Sequence, residues 1–220
     1  MKERRFSNMG LARALLLALL PLATAAAPPS PAGEYRLVGE VDVASGFLLT
    51  QDGHFQYFLM AGSLDQRAEG RWTSDGKTVL FTSEPKPVAP LFKAGTEART
   101  EAEKLTIRVV SAEGHGIAGV DLRIGFATGN PIDSYTQEDG WSLPREETRT
   151  PLWVELSLAQ YGMEPQRFPI DLAKANALGF TLVANDFGVV DFEALPADLT
   201  PTGLTTHRGG GDQKYERITD

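Results

Sequence analysis

The first of three histidines, His54, lies close in sequence to several carboxylates, a combination that general acid–base catalysis uses. Asp52 precedes it across a turn, and Asp65 and Glu69 follow in the next segment. A hydrolase or metal-dependent enzyme would pair His54 with one of these carboxylates. However, no Gly-x-Ser-x-Gly, His-Glu-x-x-His or phosphate-loop motif accompanies it, and its polar place in a strand alternation indicates exposure. The sequence therefore favours a structural histidine and predicts no catalytic residue, with the enzyme as the alternative.

Charged residues continue in residues 64–70, LDQRAEG, where the strand pattern stops. One interpretation of this segment is a return turn capped by Asp65. The other is a ligand-binding rim at the mouth of a barrel, in which these charges act together with nearby aromatic side chains. The predicted binding residues, if this region holds a site, are Tyr57, Asp65, Arg67, Glu69 and Trp72.

No metal ion or other cofactor is predicted. The chain contains no cysteine, which excludes disulfides, thiolate catalysis and cysteine-ligated metals. The other two histidines, His115 and His207, lie in glycine-rich turns without metal-ligand spacing. Trp153 and Val154 are neighbours in a strand pattern, so one of them faces outward. An exposed Trp153 would indicate a binding surface, whereas a buried one would belong to the core.

Residues 34–92 are predicted to form an antiparallel meander that closes, fully or half, into a small barrel. Phe55, Tyr57 and Leu59 alternate with polar neighbours, as expected for a strand with one buried face. Aspartate followed by glycine between strand-like runs, at Asp52 and again at Asp75, is a strong hairpin signal. The fold class predicted here is therefore all-β.

The rest of the chain is also predicted to be β-rich. Residues 93–104 are polar and indicate a linker, with the domain boundary near residue 100. Residues 105–190 contain seven short strand patterns separated by turn signals, which is typical of a β-sandwich. Residues 191–220 are interpreted as a loop-rich tail, in which a terminal strand at 214–218 is predicted to dock on one of the sheets.

The N-terminus has the pattern of a Sec-type signal peptide: a basic stretch, a short apolar run and small residues. Residues 1–25 are predicted to be removed by cleavage between Ala25 and Ala26, and residues 26–33 form a spacer. The formal net charge changes from −8 to −11, because four basic residues and Glu3 are lost. Such an acidic protein is not expected to bind nucleic acid. The mature protein is expected to be soluble, without a membrane span, and periplasmic or secreted.

The second region carries a glycine-marked turn pattern. The matching residues are Gly114, Ile117, Gly119 and Val120 in VVSAEGHGIAGVDLRI, and Thr136, Gly140 and Trp141 in YTQEDGWSL. This region, about residues 105–183, resembles the carboxypeptidase regulatory-like family, although Gly116 stands where that family has proline. The resemblance implies a transthyretin-like, seven-stranded sandwich that acts as a non-catalytic appendage in folding, docking or ligand binding.

The first region is similar to an uncharacterised group of exported bacterial proteins with the pattern GxYRL…SGxLLxxDGxFxYxLxxGxLDxxAxGxW. The similarity implies a lipocalin-like barrel or half-barrel and no known activity. The predicted function is therefore a non-catalytic binding or scaffolding protein of the bacterial envelope, with an envelope protein or a small ligand as its partner. The alternatives are a carrier of a small hydrophobic ligand inside the N-terminal barrel, and the hydrolase described above.

Overall fold

The computed structural model describes residues 30–208 and 210–219, and this part of the chain is all-β apart from one 3-10 turn. The predicted all-β class is confirmed. The predicted signal peptide and its cleavage point between Ala25 and Ala26 lie outside the described residues. Within the described residues there is no helix with the length and hydropathy needed to cross a membrane.

Five strands of an antiparallel meander form the first part of a closed barrel. They are β1 (Gly33–Leu37), β2 (Val43–Leu49), β3 (His54–Ala61), β4 (Leu64–Ser74) and β5 (Thr78–Ser83). In β3 the side chains of Phe55, Tyr57 and Leu59 are buried, because alternate residues of a strand face opposite sides. The two predicted aspartate–glycine hairpins are confirmed. Gly53 and Gly76 have φ angles of 85° and 87°, which glycine adopts without strain.

After β5 the chain leaves the barrel and builds two four-stranded sheets, which we call the inserted unit (residues 91–183). Its strands are β6 (Leu91–Ala98), β7 (Thr106–Val110), β8 (Asp121–Phe126), β9 (Ile132–Tyr135), β10 (Trp141–Ser142), β11 (Pro151–Ser157), β12 (Gln166–Pro169) and β13 (Ala177–Val183). One sheet has the order β10-β7-β13-β6, with β7 parallel to β13, and the other has the order β12-β11-β8-β9. The 3-10 turn, Ala159–Tyr161, follows β11.

The two sheets of the inserted unit share one hydrophobic core. Val109 of β7 and Phe180 of β13 belong to the same buried cluster as Ile124 of β8 and Val154 of β11. The unit has eight strands where the sequence predicted seven. The additional strand is β6, which covers residues that the sequence assigned to the end of the barrel and to a linker. The sequence did not reveal this strand, because it lies at a sheet edge and buries only Phe92, so it has no alternation of apolar and polar residues.

Three strands after the inserted unit complete the barrel. They are β14 (Leu195–Leu199), β15 (Gly203–Arg208) and β16 (Gly211–Arg217). The closed order is β1-β16-β15-β14-β5-β4-β3-β2. Closure is set by two long-range pairings, of β14 with β5 and of β16 with β1. Residues that the sequence interpreted as a loop-rich tail therefore supply three of the eight barrel strands, and the predicted terminal strand lies mostly within β16.

Aromatic side chains from distant strands pack together inside the barrel. The ring of Phe47 lies 4.7 Å from that of Phe81 and 5.0 Å from that of Tyr215, measured between centroids. Phe55 packs edge-on against Phe81 at 5.1 Å. These distances are typical of favourable aromatic pairs in a packed core.

Candidate functional site

The inserted unit is attached to one end of the barrel, which we call the barrel mouth. The strand directions place the end of β5, the start of β14, the end of β15 and the β3–β4 turn at this mouth. The β2–β3 turn, which carries Asp52 and His54, lies at the opposite end. Any site shared by the barrel and the inserted unit must therefore lie at the mouth.

Two connecting segments, residues 84–90 and 184–194, join the inserted unit to the barrel mouth. The outgoing segment, which contains three prolines, is held against the returning one. The backbone amide of Val88 donates to the Asp186 carboxylate at 2.7 Å, and the Asp186 amide donates to the Val88 carbonyl at 3.1 Å. The side-chain amide of Asn185 donates to the Ala89 carbonyl at 2.8 Å. The two connections thus hold each other by several hydrogen bonds.

The returning segment also pairs with the free edge of β4. Beyond the end of β5, the Arg67 amide donates to the Gly188 carbonyl at 2.9 Å, and the Val190 amide donates to the Arg67 carbonyl at 2.8 Å. Gly188 has a φ angle of 77°, and a Cβ there would lie 3.0 Å from the Asp65 carbonyl oxygen. Glycine is therefore suited to this position both by its backbone angle and by the close approach of β4.

Phe192 extends from the returning segment into the barrel core. Its ring is buried and lies 5.1 Å from Tyr57 and 5.9 Å from Phe55. Its backbone is held by Ser83, whose amide donates to the Phe192 carbonyl at 2.8 Å and whose hydroxyl accepts from the Phe192 amide at 2.9 Å. The connection from the inserted unit thus contributes a core residue to the barrel.

The 3-10 turn of the inserted unit also contacts the barrel, at the β3–β4 turn. Its Tyr161 hydroxyl donates to the Ser63 carbonyl, in the β3–β4 turn, at 3.2 Å. The Tyr161 ring also lies 4.2 Å from the ring of Phe187 in the returning segment. The barrel mouth, the 3-10 turn and the connecting segments therefore surround a common space.

This space is an open cleft of about 730 Å³, which we call the mouth cleft. Apolar side chains of the connections and the inserted unit form much of its wall, and polar or charged side chains reach it from the barrel. Its lining includes Gln66, Lys86, Ala159, Tyr161, Met163 and Arg208. Its volume lies within the range of about 300–1,000 Å³ that is usual for small-molecule sites.

Arg208, the last residue of β15, holds its guanidinium at the barrel side of the mouth cleft. Nη1 donates to the Tyr57 hydroxyl at 3.1 Å, and Nη2 donates to Oε1 of Gln66 at 3.3 Å. The guanidinium carbon lies 5.4 Å from the Phe192 ring centroid and 5.8 Å from that of Tyr57. Neutral acceptors and aromatic faces therefore hold this cation in place.

A polar layer lies inside the barrel. The Tyr215 and Ser45 hydroxyls are 3.1 Å apart, and the Ser45 hydroxyl donates to the Phe58 carbonyl at 2.7 Å. Gln213 accepts from the Tyr215 and Thr206 hydroxyls, each at 3.3 Å. Burial raises the pKa of Tyr215 to about 12, so its phenol stays protonated and available as a donor at neutral pH.

The five residues predicted as a binding rim do not form one cluster. Residues 64–70 are part of the long strand β4 and form no turn, so their side chains alternate between the two faces. Asp65, Arg67 and Glu69 point outward, whereas Tyr57 on β3 points into the barrel. Trp72 donates from Nε1 to the Thr50 carbonyl at 3.1 Å, at the end opposite the mouth.

Three of the five predicted residues nevertheless line a common pocket. Tyr57, Arg67 and Glu69 line a pocket of about 420 Å³, which shares Pro87 and Val189 with the mouth cleft. Asp65 and Trp72 are absent from the described lining of both pockets. Strands rise about 3.3 Å per residue, so these two residues lie about 23 Å apart along β4.

His54 is paired with Asp52 at the far end of the barrel. Nδ1 of His54 lies 3.1 Å from the Asp52 carboxylate, and the two side chains are 52% and 70% exposed. The pKa of Asp52 is lowered by the hydrogen bond from the Thr50 hydroxyl and then by His54. Glu69 lines the same open surface pocket as His54, but Asp65 does not. Among the described residues no group of three or more histidine and carboxylate side chains is arranged to hold a metal ion.

Trp153 is half-buried, and two neighbours lie against its indole. The guanidinium of Arg167 lies 3.8 Å from the ring centroid, and a Cβ at Gly125 would lie 1.8 Å from the ring on the adjacent strand. Arg167 is also paired with Glu155 at 2.8 Å. An indole in contact with two neighbours in this way has less area left for stacking on a ligand, so this position contributes to packing.

The residues that surround the mouth cleft were missed by the sequence analysis. Phe192 and Arg208 fell in the segment interpreted as a tail. A usable signal was present, because Leu204, Thr206 and Arg208 alternate before the glycines that precede β16. Only one of these three residues is apolar, so the alternation was weak.

His207 forms a cross-strand triad on the outer surface of the barrel. Its ring nitrogens lie 2.8 Å from the carboxylate of Asp212 on β16 and 3.1 Å from that of Asp198 on β14. These hydrogen bonds, first to Asp212 and then to Asp198, raise the pKa of His207. The protonated imidazole therefore connects three of the strands that close the barrel.

This triad predicts a specific pH dependence of barrel stability. Because the native pKa of His207 is raised, its contribution is complete below the unfolded pKa of about 6.5 and is lost as pH rises through the native pKa. Between about pH 6 and about pH 8, the urea midpoint of the wild type is expected to fall relative to that of His207→Asn. His115→Asn, in the inserted unit, is the control and should keep the wild-type profile. Parallel profiles for wild type and His207→Asn would contradict the prediction.

No protein-family model, curated protein or solved structure gives a significant match to this chain. The protein is defined by its own architecture, an eight-stranded antiparallel barrel that is interrupted between its fifth and sixth strands in chain order by two further sheets.

Proposed function

We propose that this protein is an exported, non-catalytic binding protein of the bacterial envelope, and that the mouth cleft is its binding site. The observation that carries the proposal is that the barrel, the 3-10 turn and both connecting segments all line this one cleft. Sites shared by two structural units are common places for ligand binding. A small molecule suits the cleft volume, and we therefore favour a small ligand over a scaffolding partner.

The inserted unit is proposed to be the transthyretin-like module indicated by its turn motif. Its role in this proposal is to cover the barrel mouth. Tyr161 binds the β3–β4 turn, and the returning segment pairs with β4, so the module is held over the mouth at two points. A docked module of this kind provides one wall of a site without supplying a catalytic group.

The two alternative functions have weaker support. A carrier would hold its ligand inside the barrel, where the rings of Phe47, Phe81 and Tyr215 pack in contact. A hydrolase would use His54, whose partner Asp52 also accepts from the Thr50 hydroxyl at 2.5 Å. The pair is exposed at a hairpin, at the end of the barrel opposite the mouth cleft.

Filling the cleft tests the proposed site. Ala159 is exposed on the 3-10 turn and lines the cleft, so Ala159→Trp is expected to block it without disturbing the core. The wild type should be recovered from the periplasmic fraction with Ala26 as its first residue and with a bound small molecule detectable by native mass spectrometry. The bound fraction should fall about tenfold or more in Ala159→Trp.

Ala112→Trp is the matched control, because it adds the same side chain at an exposed turn outside the cleft. This control should retain the bound molecule. Equal recovery of the same molecule from all three proteins would overturn the mouth cleft as the site. Recovery of a protein partner alone, unaffected by either change, would instead favour scaffolding through another surface.

A further inference from the structure

The side-chain hydrogen bonds of Arg208 go to neutral oxygens and not to a carboxylate. Its guanidinium is half-buried at the barrel side of the mouth cleft and donates to two neutral oxygens, those of Tyr57 and Gln66. A guanidinium carries five N–H donors in a rigid fork, of which the described residues engage two. Among the residues that the structure describes, the remaining donors have no partner and can bind a ligand in the cleft.

No ion pair formed by the described residues includes Arg208. The other cation in the cleft lining, Lys86, differs in this respect, since it is paired with Asp191 at 3.2 Å and with Glu193 at 2.5 Å. Withdrawing a cation from water beside two aromatic rings has a cost that neutral acceptors offset only in part. A carboxylate arriving in the cleft would supply the missing charge through paired hydrogen bonds.

The inserted unit and the connections contribute apolar side chains to the lining, beside the polar side chains of Gln160, Glu164 and Gln166. Tyr161 and Met163 line the cleft from the inserted unit, and Pro90 and Val190 line it from the connecting segments. Methionine and tyrosine accommodate apolar groups of varied shape, because one is flexible and the other offers a broad ring face. The cleft thus combines, on the barrel side, an arginine that has no carboxylate partner among the described residues with apolar surface from the inserted unit and the connections.

We propose that the mouth cleft binds a small amphipathic carboxylate, with the carboxylate on Arg208 and the apolar part against Tyr161 and Met163. This inference rests on the proposed function, because it assigns a ligand class to the same cleft. Glu164 and Asp191 also line the cleft, and Asp191 is paired with Lys86, so Arg208 is the cation of the described lining that a ligand carboxylate can pair with. Tyr57 and Gln66 act as positioning residues, because they orient the guanidinium without meeting the ligand's charge.

Calorimetric titration with decanoate and decan-1-ol tests the assignment. The two probes have the same chain length and differ in the carboxylate. Decanoate is expected to bind the wild type about tenfold or more tightly than decan-1-ol, which is the scale of a charge-assisted hydrogen bond. Arg208→Gln should remove this preference. Arg208→Lys should keep only part of it, because lysine retains the charge but not the planar fork.

Arg36→Gln is the matched control. Arg36 also lies over an aromatic ring, with its guanidinium carbon 5.1 Å from the Phe58 centroid, but on the outer surface of the barrel. This control should bind decanoate as the wild type does. Circular dichroism of each variant establishes whether it folds. If Arg208→Gln does not fold, Arg208→Lys provides the test.

The outcomes separate this inference from the function on which it rests. If decanoate and decan-1-ol bind equally, and Arg208→Gln changes neither, the carboxylate assignment is overturned. If in that case Ala159→Trp still abolishes binding of both probes, the mouth cleft remains the binding site. Absence of decanoate binding to the wild type also overturns the ligand class, whereas the proposed function fails only if cleft filling leaves the native bound molecule in place.

Discussion

A chain that ends after residue 194 is expected to lose the barrel completely, while the inserted unit keeps its fold. The truncation removes β14, β15 and β16 and leaves β1 and β5 with unpaired edges. It also removes the buried side chains of Leu204 and Tyr215 from the barrel core. Five strands with one open side cannot bury the remaining aromatic cluster, so the loss should be of the whole barrel fold.

The three tryptophans report on the two parts separately. Trp72 lies in β4 of the barrel, whereas Trp141 and Trp153 lie in the inserted unit. In a background with Trp141→Phe and Trp153→Phe, the emission of Trp72 should shift to that of an exposed indole after truncation at residue 194. Removal of only the last two residues, beyond the end of β16, is the control and should leave the emission unchanged. An unshifted Trp72 in the long truncation would show that the barrel forms without these strands.

Phe192→Ala is expected to destabilise the barrel by about 3–5 kcal/mol, as is usual for deletion of a buried phenylalanine ring. The ring is 3% exposed, and it lies within 6.3 Å of the rings of Phe47, Phe55 and Tyr57, measured between centroids. It also supports the guanidinium of Arg208. Urea unfolding monitored at Trp72, in the same background, measures the loss.

Phe58→Ala is the matched control for this substitution. Phe58 lies on β3 between the buried residues Tyr57 and Leu59, but its own side chain faces outward and is only partly buried. The same change there is expected to cost about 1 kcal/mol. Equal losses at the two positions would mean that Phe192 is not part of the barrel core, and that the returning segment packs on the barrel only through its backbone.

The strands themselves were largely predictable from the sequence. Phe55, Tyr57 and Leu59 alternate with polar neighbours, and that alternation is a property of one strand and its two faces. The aspartate–glycine turns were predictable because glycine there adopts a positive φ angle within a few residues of chain. Strand β6 was not predictable, because an edge strand with one buried residue has no such alternation.

The candidate site was hidden for a related reason. Asp65, Arg67 and Glu69 looked like a loop because charged residues occupy the outward positions of β4, while the inward positions are held by Gln66, Ala68 and Gly70. Because these inward residues are small or polar, the hydropathy pattern of the segment does not indicate a buried face. Arg208 was concealed because its environment consists of residues from β3, β4 and the returning segment, all distant in sequence.

By itself the sequence determined the all-β class, the first hairpins and the alternation that fills the barrel, because these depend on neighbouring residues along one strand. The tertiary structure alone decided that Leu195 pairs with Phe81, and Tyr215 with Leu37, across the whole inserted unit. Hydrogen bonds between strands are made by backbone groups, which are common to almost all residues. Side-chain patterns therefore do not identify the strand with which a given strand pairs. The mouth cleft exists only because of these pairings, which bring Arg208 beneath the inserted unit.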